Sequence, residues 1–240
     1  MKSAATLDGV LLVDKSSEMT SHDVVAIARR TFSMTKVGHC GTLDPLATGL
    51  LIVVLGKGTK IQDLLMAEDK EYVGSMKLGE TTDSQDADGE ILEMKPVPEL
   101  DGTQIEAAFA KFDGDFYQLP PMVSAIKQQG VPLYKLARQG KTVEREKRFV
   151  HVYAHQINRV ELPVIDFRVV CSKGFYVRTY AHDIGAELGC GAHLQALRRT
   201  KSGKFNLDRA VTVDQLKNSS LDELLSKVIS LPEVSRMRGA

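Results

Sequence analysis

Gly38-His39-Cys40-Gly41-Thr42-Leu43-Asp44-Pro45-Leu46-Ala47-Thr48-Gly49-Leu50-Leu51-Ile52-Val53-Val54-Leu55 places a polar connection directly before an apolar run. Gly49 to Leu55 has the length and composition of a buried strand. Val37 to Thr48 holds two glycines, a proline and several small polar residues, which predicts a loop. That loop presents one carboxylate, Asp44, and one imidazole, His39, at the mouth of the strand. Loops mounted on rigid elements are where chemistry is usually carried. Asp44 before Pro45 is equally the opening residue of an Asp-Pro turn with a purely local hydrogen bond. Residue chemistry alone leaves both readings open.

Working outward, Asp8 to Asp14 reads as a short buried strand, and Thr20 or Ser21 caps a helix with Val24, Val25, Ile27 and Ala28 on its apolar side. Gly56-Lys57-Gly58-Thr59 turns the chain into a short helix near Ile61 to Met66. Lys70 to Leu78 reads as a strand with Tyr72, Gly74, Met76 and Leu78 on one face. Thr81 to Gly89 is an acidic loop, Ile105 to Phe112 a helix, and Gln118-Leu119-Pro120-Pro121 a break. Phe149 to Ile157 and Val164 to Cys171 are rich in β-branched and aromatic residues and read as strands. Arg178 to Leu188 is helical with Gly189 closing it, and 212–229 holds one or two short helices. Strands and helices alternate without a βαβ rhythm. The expected fold class is therefore α+β, a mixed and mainly antiparallel sheet flanked by helices.

The 240 residues carry 31 Lys+Arg against 31 Asp+Glu, with 43% hydrophobic, an ordinary globular composition. The balance is uneven along the chain: net −11 over residues 61–120 and +7 over 121–180. The basic load peaks at Lys127, Lys135, Arg138, Lys141, Arg145, Lys147 and Arg148. Such a segment is either a solvated helical face or a footprint for a polyanion. Leu50 to Leu55, the longest apolar run, is far too short to span a bilayer, and the first residues lack a signal peptide's apolar stretch. Cys40, Cys171 and Cys190 form no CxxC and cannot all pair, which fits a reducing cytoplasm.

Other patterns fail on inspection. Ser33 to Lys36 and Ser124 to Lys127 both fit SxxK, but a serine acyl hydrolase needs a further SDN-like element that is missing. Ser84 to Gly89 resembles the front of a calcium loop, yet its twelfth position is Lys95 where a bidentate Glu is required. The six histidines show no HExxH, so no metal site is expected.

The Gly38–Gly49 segment resembles the catalytic motif of the TruB family of bacterial tRNA pseudouridine synthases, which modify uridine 55 in the T-loop. Further segments resemble the family in its order: Val13-Asp14-Lys15 with Thr20-Ser21-His22-Asp23, Lys70-Glu71-Tyr72, Gly79 to Gly89, Pro121 to Ala125, Leu133 to Arg138, Cys171 to Thr179, and Gly189 to Arg199. The resemblance covers roughly residues 8–215. It implies a pseudouridine synthase fold with an RNA-binding insertion at 118–148. Asp44 would be the nucleophile or acid–base carboxylate and Arg178 its ion-pair partner. Tyr72 would stack on the flipped uracil, Tyr176 line the pocket, Leu197 form an apolar wall, and His39 contact the T-loop where the base leaves. Lys15 and Lys127 would be supporting RNA or structural contacts, and Lys135, Arg138 and Lys141 would grip phosphates. No cofactor and no metal is implied, because the isomerisation has no net redox or group transfer.

The sequence departs from the family where Lys-Pro then Gly usually precede Thr-Ser: Ser16 and Glu18 stand there. The expected organisation is a catalytic domain over 1–230, with no appended C-terminal RNA-binding domain, and a short disordered basic tail over 231–240. The expected partner is the T-arm stem-loop of tRNA, bound by a cytoplasmic monomer with no membrane and no obligatory protein partner. The alternative is a tRNA-binding protein that remodels its substrate without modifying it.

Overall fold

The computed structural model describes residues 7–124, 127–128, 130–133 and 143–239. They divide into two compact units, Met1–Tyr72 with Arg198–Ala240, and Val73–Leu197.

The first unit opens with β1 (Gly9–Lys15), α1 (Ser21–Thr31), β2 (Val37–Cys40) and β3 (Thr48–Leu55), then a 3-10 turn (Gly56–Ile61) and α2 (Gln62–Met66). Residues 49–55 of β3 are all buried: Leu50, Ile52 and Val54 on one face join the core of this unit, and Leu51, Val53 and Leu55 on the other face are equally inaccessible. β1 pairs with it antiparallel from Gly9↔Leu55 to Lys15↔Gly49, and β2 antiparallel from Val37↔Leu55 to Cys40↔Ile52. A strand buried on both faces reads as a continuous apolar run rather than an alternation. The Thr20 hydroxyl accepts the Asp23 N–H at 3.1 Å and the Asp23 carboxylate accepts the Thr20 N–H at 2.8 Å. This capping box stabilises the start of α1 by about 1 kcal/mol. The helix buries Val24, Val25, Ile27 and Ala28, the face its spacing predicts.

β4 (Lys70–Leu78) leads into the second unit, which continues with β5 (Glu80–Thr82), β6 (Ile91–Met94), α3 (Gly102–Ala110) and β7 (Gly114–Gln118). A small hairpin, β8 (Lys127–Gln128) with β9 (Val131–Pro132), precedes β10 (Arg148–Glu161), β11 (Val164–Cys171), α4 (Val177–Glu187) and β12 (Ala192–Ser202). Here the strands run in the order β4-β11-β10-β7, with β10 antiparallel to both neighbours. The helices pack through aromatic edges: the Phe109 ring of α3 lies 5.8 Å from Phe167 of β11 and 5.8 Å from Tyr180 of α4.

The chain re-enters the first unit along β12, where Arg198 and Arg199 pair parallel with Thr48 and Gly49. β13 (Phe205–Asn206), β14 (Val211–Thr212), α5 (Val213–Asn218), α6 (Leu221–Lys227) and α7 (Leu231–Arg238) complete it. Its core joins Val10, Leu12, Leu50, Ile52, Phe205 and Ile229. The fold is α+β with mainly antiparallel pairing, as the sequence predicts.

Four features differ from expectation. Val37–Cys40 is a strand rather than loop, because pairing with the edge of β3 outweighs the poor strand propensity of Gly38. Thr81 and Thr82, at the start of the expected acidic loop, belong to β5, which pairs with Ile91–Met94. Gly114–Gln118 and Ala192–Ser202 are strands without a sequence signal: burial along Ala192–Ser202 does not alternate. The expected disordered tail is a helix. Ser230 caps it, Val234 is buried, and Glu233 and Arg238 pair with Arg209 and Glu68, both at 2.6 Å. No helix among the described residues is long and apolar enough to cross a membrane.

Candidate active site

Asp44 is half-buried in the 41–47 connection between β2 and β3. The backbone around it is held by side chains from distant parts of the chain. The Ser21 hydroxyl accepts the Leu43 N–H at 2.9 Å and donates to the Leu43 carbonyl at 3.2 Å. The Pro45 carbonyl accepts from Lys15 Nζ at 3.3 Å and from the Glu18 N–H at 3.0 Å. At the ends of the loop, Arg199 donates through Nη2 to the Gly41 carbonyl at 3.0 Å and through Nε to the Leu50 carbonyl at 2.7 Å. Glycine at 49 has a steric cause: φ is +97°, and a Cβ there would lie 2.3 Å from the Arg199 carbonyl oxygen. No other residue lets β12 approach so closely.

Lys15 is fully buried, and its ammonium also donates to the Ser16 and Met19 carbonyls at 2.9 and 2.7 Å. Burial pushes its pKa down to about 8, opposed by the Asp44 charge and reinforced by Arg199. Its ammonium thus meets three backbone carbonyls, those of Ser16, Met19 and Pro45. His39, on β2, has its pKa pushed down to about 4 by burial, with the charges of His22 and Arg199 adding to the effect. It therefore presents a neutral ring at physiological pH, edge-on to His22 at 5.2 Å between centroids. Tyr72 is buried on β4 beside Glu71, whose carboxylate accepts from the Thr200 hydroxyl at 2.8 Å.

Tyr176, Arg178 and Leu197 belong to the second unit. Tyr176 is the residue before α4, and the Gln118 side chain bonds both its backbone groups, at 2.8 Å to the N–H and 3.0 Å to the carbonyl. Arg178, almost fully buried, donates to the Ser84 and Val123 carbonyls at 2.8 and 2.7 Å and lies 3.5 Å from Asp86. Leu197 is buried on β12. Of the basic segment, Lys127 contributes backbone to β8, while Lys135, Arg138 and Lys141 lie outside the described residues. Among the described residues no group of His, Cys, Asp and Glu is arranged to hold a metal ion.

In the first unit the structure thus brings Lys15 onto the Asp44 loop. Ser21, Arg199, Gln118 and Asp86 emerge as further members of these frames. In the sequence both Ser21 and Arg199 stand in segments that resemble the family, Ser21 also as a possible helix cap, but neither carries a signal of its contact with the Asp44 loop.

Two family models match consecutive stretches of this chain: TruB family pseudouridylate synthase (N terminal domain) over residues 29–177, and tRNA pseudouridylate synthase B C-terminal domain over 178–232. The chain belongs to the TruB family. Among TruB-family relatives, tRNA pseudouridine synthase B of Opitutus terrae is 56% identical over 223 residues, covering 93% of this chain and 92% of that one. The protein of the same name from Syntrophotalea carbinolica is 47% identical over 230 residues, 96% of this chain and 75% of that one. Among solved structures, a chain of a Cbf5-Nop10-Gar1 complex superposes with a TM-score of 0.73 at 29% identity. The match covers 95% of this TruB-family chain and 62% of the length of that chain. A chain from an H/ACA RNP bound to a substrate RNA containing 2'-deoxyuridine gives 0.67 at 30% identity, covering 92% and 58%.

Proposed function

We propose that this chain isomerises uridine to pseudouridine at position 55 in the T-loop of tRNA, with Asp44 as the reacting carboxylate. The observation that carries the reading is the placement of Asp44, in a TruB-family chain, on a loop whose backbone is bonded on both sides by buried side chains. The reaction breaks the N-glycosidic bond, turns the uracil and rejoins it through carbon. Every atom of the substrate is retained, so no cofactor is required. A carboxylate serves this chemistry as nucleophile or as proton acceptor, and either route needs it ionised and fixed. Arg178 is assigned as its ionic partner from the family motif, since an adjacent cation favours the ionised form.

A base inside a folded loop is out of reach, so it is flipped out and held by stacking. Tyr72 supplies the stacking face in this reading, worth about 1–3 kcal/mol. Tyr176 and Leu197 line the pocket, and the neutral His39 meets the T-loop without adding charge. Lys127, Lys135, Arg138 and Lys141 supply phosphate contacts, while Lys15 positions the loop. The protein acts on the T-arm as a cytoplasmic monomer without an obligatory protein partner. Incubation with an unmodified tRNA transcript, followed by nucleotide-resolution mapping, tests this. One pseudouridine in the T-loop is expected; modification elsewhere alone, or none, overturns it.

A further inference from the structure

The peptide from which Asp44 hangs is held by a side chain to which the reading above gives no role. Ser21 is fully buried and is the first residue of α1, whose capping box fixes the helix start. Its hydroxyl is both acceptor and donor to one residue, Leu43, at 2.9 and 3.2 Å. A serine hydroxyl has one proton and two lone pairs, so a single group can satisfy both. The Leu43 carbonyl lies in the same planar peptide as the Asp44 N–H, so fixing one fixes the other. The Leu43 side chain is itself buried, which anchors this peptide from a second direction. On the far side, the Asp44 carbonyl accepts from the Ala47 N–H at 3.1 Å, and the Pro45 carbonyl receives Lys15 and Glu18. Asp44 is thus suspended between two peptide planes that are each bonded in place.

We infer that Ser21 is a positioning residue whose hydroxyl sets the direction of the Asp44 carboxylate toward the glycosidic bond. It acts through the Leu43–Asp44 peptide and touches no substrate. The inference rests on Asp44 being the reacting carboxylate. Thr20, one residue earlier, performs the capping, so the Ser21 hydroxyl is not needed to start the helix. Ser21 bonds the loop across 22 residues instead.

The test compares wild type, Ser21→Ala, Ser21→Thr and Asp44→Asn in single turnover on unmodified tRNA transcript. Bound tRNA is titrated in the same preparations. Misfolded protein lowers the number of binding sites but not the rate per bound tRNA, which separates positioning from stability. Ser21→Ala is expected to slow that rate about a hundredfold, the scale of a misplacement near 1 Å, with tRNA affinity unchanged. Ser21→Thr keeps the hydroxyl and is expected to recover most of the rate. Where Ser21→Ala gives too little folded protein, Ser21→Cys takes its place against Ser21→Thr. An alanine or cysteine rate per bound tRNA equal to wild type overturns the inference, and so does equal slowing in both variants and Ser21→Thr, which follows shape rather than the hydroxyl. Turnover by Asp44→Asn overturns the assignment of Asp44 instead, so the two failures are distinct.

Discussion

The two carboxylate-bearing loops of this chain use their carboxylates differently. Loop 41–47, with Asp44, is held from outside. Its bonds come from Ser21, Lys15 and Arg199, which stand 22, 30 and 158 residues away from their partners. Loop 82–90, with Asp86, is also anchored from outside, by Arg178 at the Ser84 carbonyl and Thr179 at the Gln85 side chain, but its own side chains bond within it as well. Thr82 donates to the Asp86 carbonyl at 2.7 Å, the Asp86 carboxylate accepts the Asp88 N–H at 3.2 Å, and the Asp83 carboxylate accepts the Glu90 N–H at 2.9 Å. These internal partners are only two to seven residues apart. In the second loop the carboxylates are part of the turn. In the first, the loop is fixed through its backbone by other residues, and its carboxylate is the group carried by that frame.

This difference predicts unequal responses to removing one bond. Arg199→Ala leaves the Gly41 and Leu50 carbonyls without their guanidinium and opens a large cavity, for an expected loss of about 4 kcal/mol. Thr82→Ala removes one internal hydroxyl from loop 82–90 while Arg178 and Thr179 still hold it, and should cost about 1 kcal/mol. Urea unfolding of both variants provides the comparison, and equal losses would break it.

A second test uses the charge buried beneath loop 41–47. The folded pKa of Lys15 is depressed to about 8 from 10.5, so the unfolded chain binds the extra proton between those values. Stability therefore rises with pH across that window, by roughly 3 kcal/mol at its upper end from this group. Below pH 8 both states are protonated and the contribution is constant. Lys15→Met should lack the rise, so the difference between variant and wild-type stability changes from pH 8 to 10.5. Parallel curves would show that the ammonium is better hydrated than its burial implies.

The same contrast explains what could be read in advance. The β3 core strand, the α1 cap and the loop character of Gly41 to Ala47 were legible because each depends on neighbours within a few residues. The acidic loop was legible too, since its Thr, Ser and Asp side chains are turn formers whose partners lie nearby. Ser21 and Arg199 were not. Their bonds to Leu43 and Gly41 exist only after α1 and β12 have been folded against the loop, and no local pattern encodes that. Ala192–Ser202 escaped for a related reason. Its basic residues bond to groups within the first unit, Arg198 to Asp14 at 2.7 Å and Arg199 to Leu50, so the alternation expected of a surface strand is lost. The terminal helix does carry a local start, Ser230 with Pro232 in its first turn, but its anchoring partners, Arg209 and Glu68, lie 24 and 170 residues back in the chain.

The smallest expected effect concerns Glu18, which stands where the family resemblance places glycine and adopts φ 60°. The left-handed region costs a non-glycine residue about 1–2 kcal/mol, part of which glycine gives back through its freer unfolded chain. Glu18→Gly should therefore stabilise by about 0.5 kcal/mol, a rise in Tm of about 1–2 °C. A fall would mean that the Glu18 side chain adds more to the externally held loop than its backbone strain removes.

The central claim is that a carboxylate on this held loop performs the isomerisation, and Asp44→Asn tests it most directly. The substitution preserves size and polarity while removing charge and nucleophilicity. With wild-type and variant protein saturating the same tRNA transcript, pseudouridine at the T-loop is counted by nucleotide-resolution mapping. The account predicts full conversion by the wild type, unchanged tRNA binding by the variant, and conversion by the variant no greater than in an enzyme-free control. Conversion by verified Asp44→Asn protein above that control would contradict it.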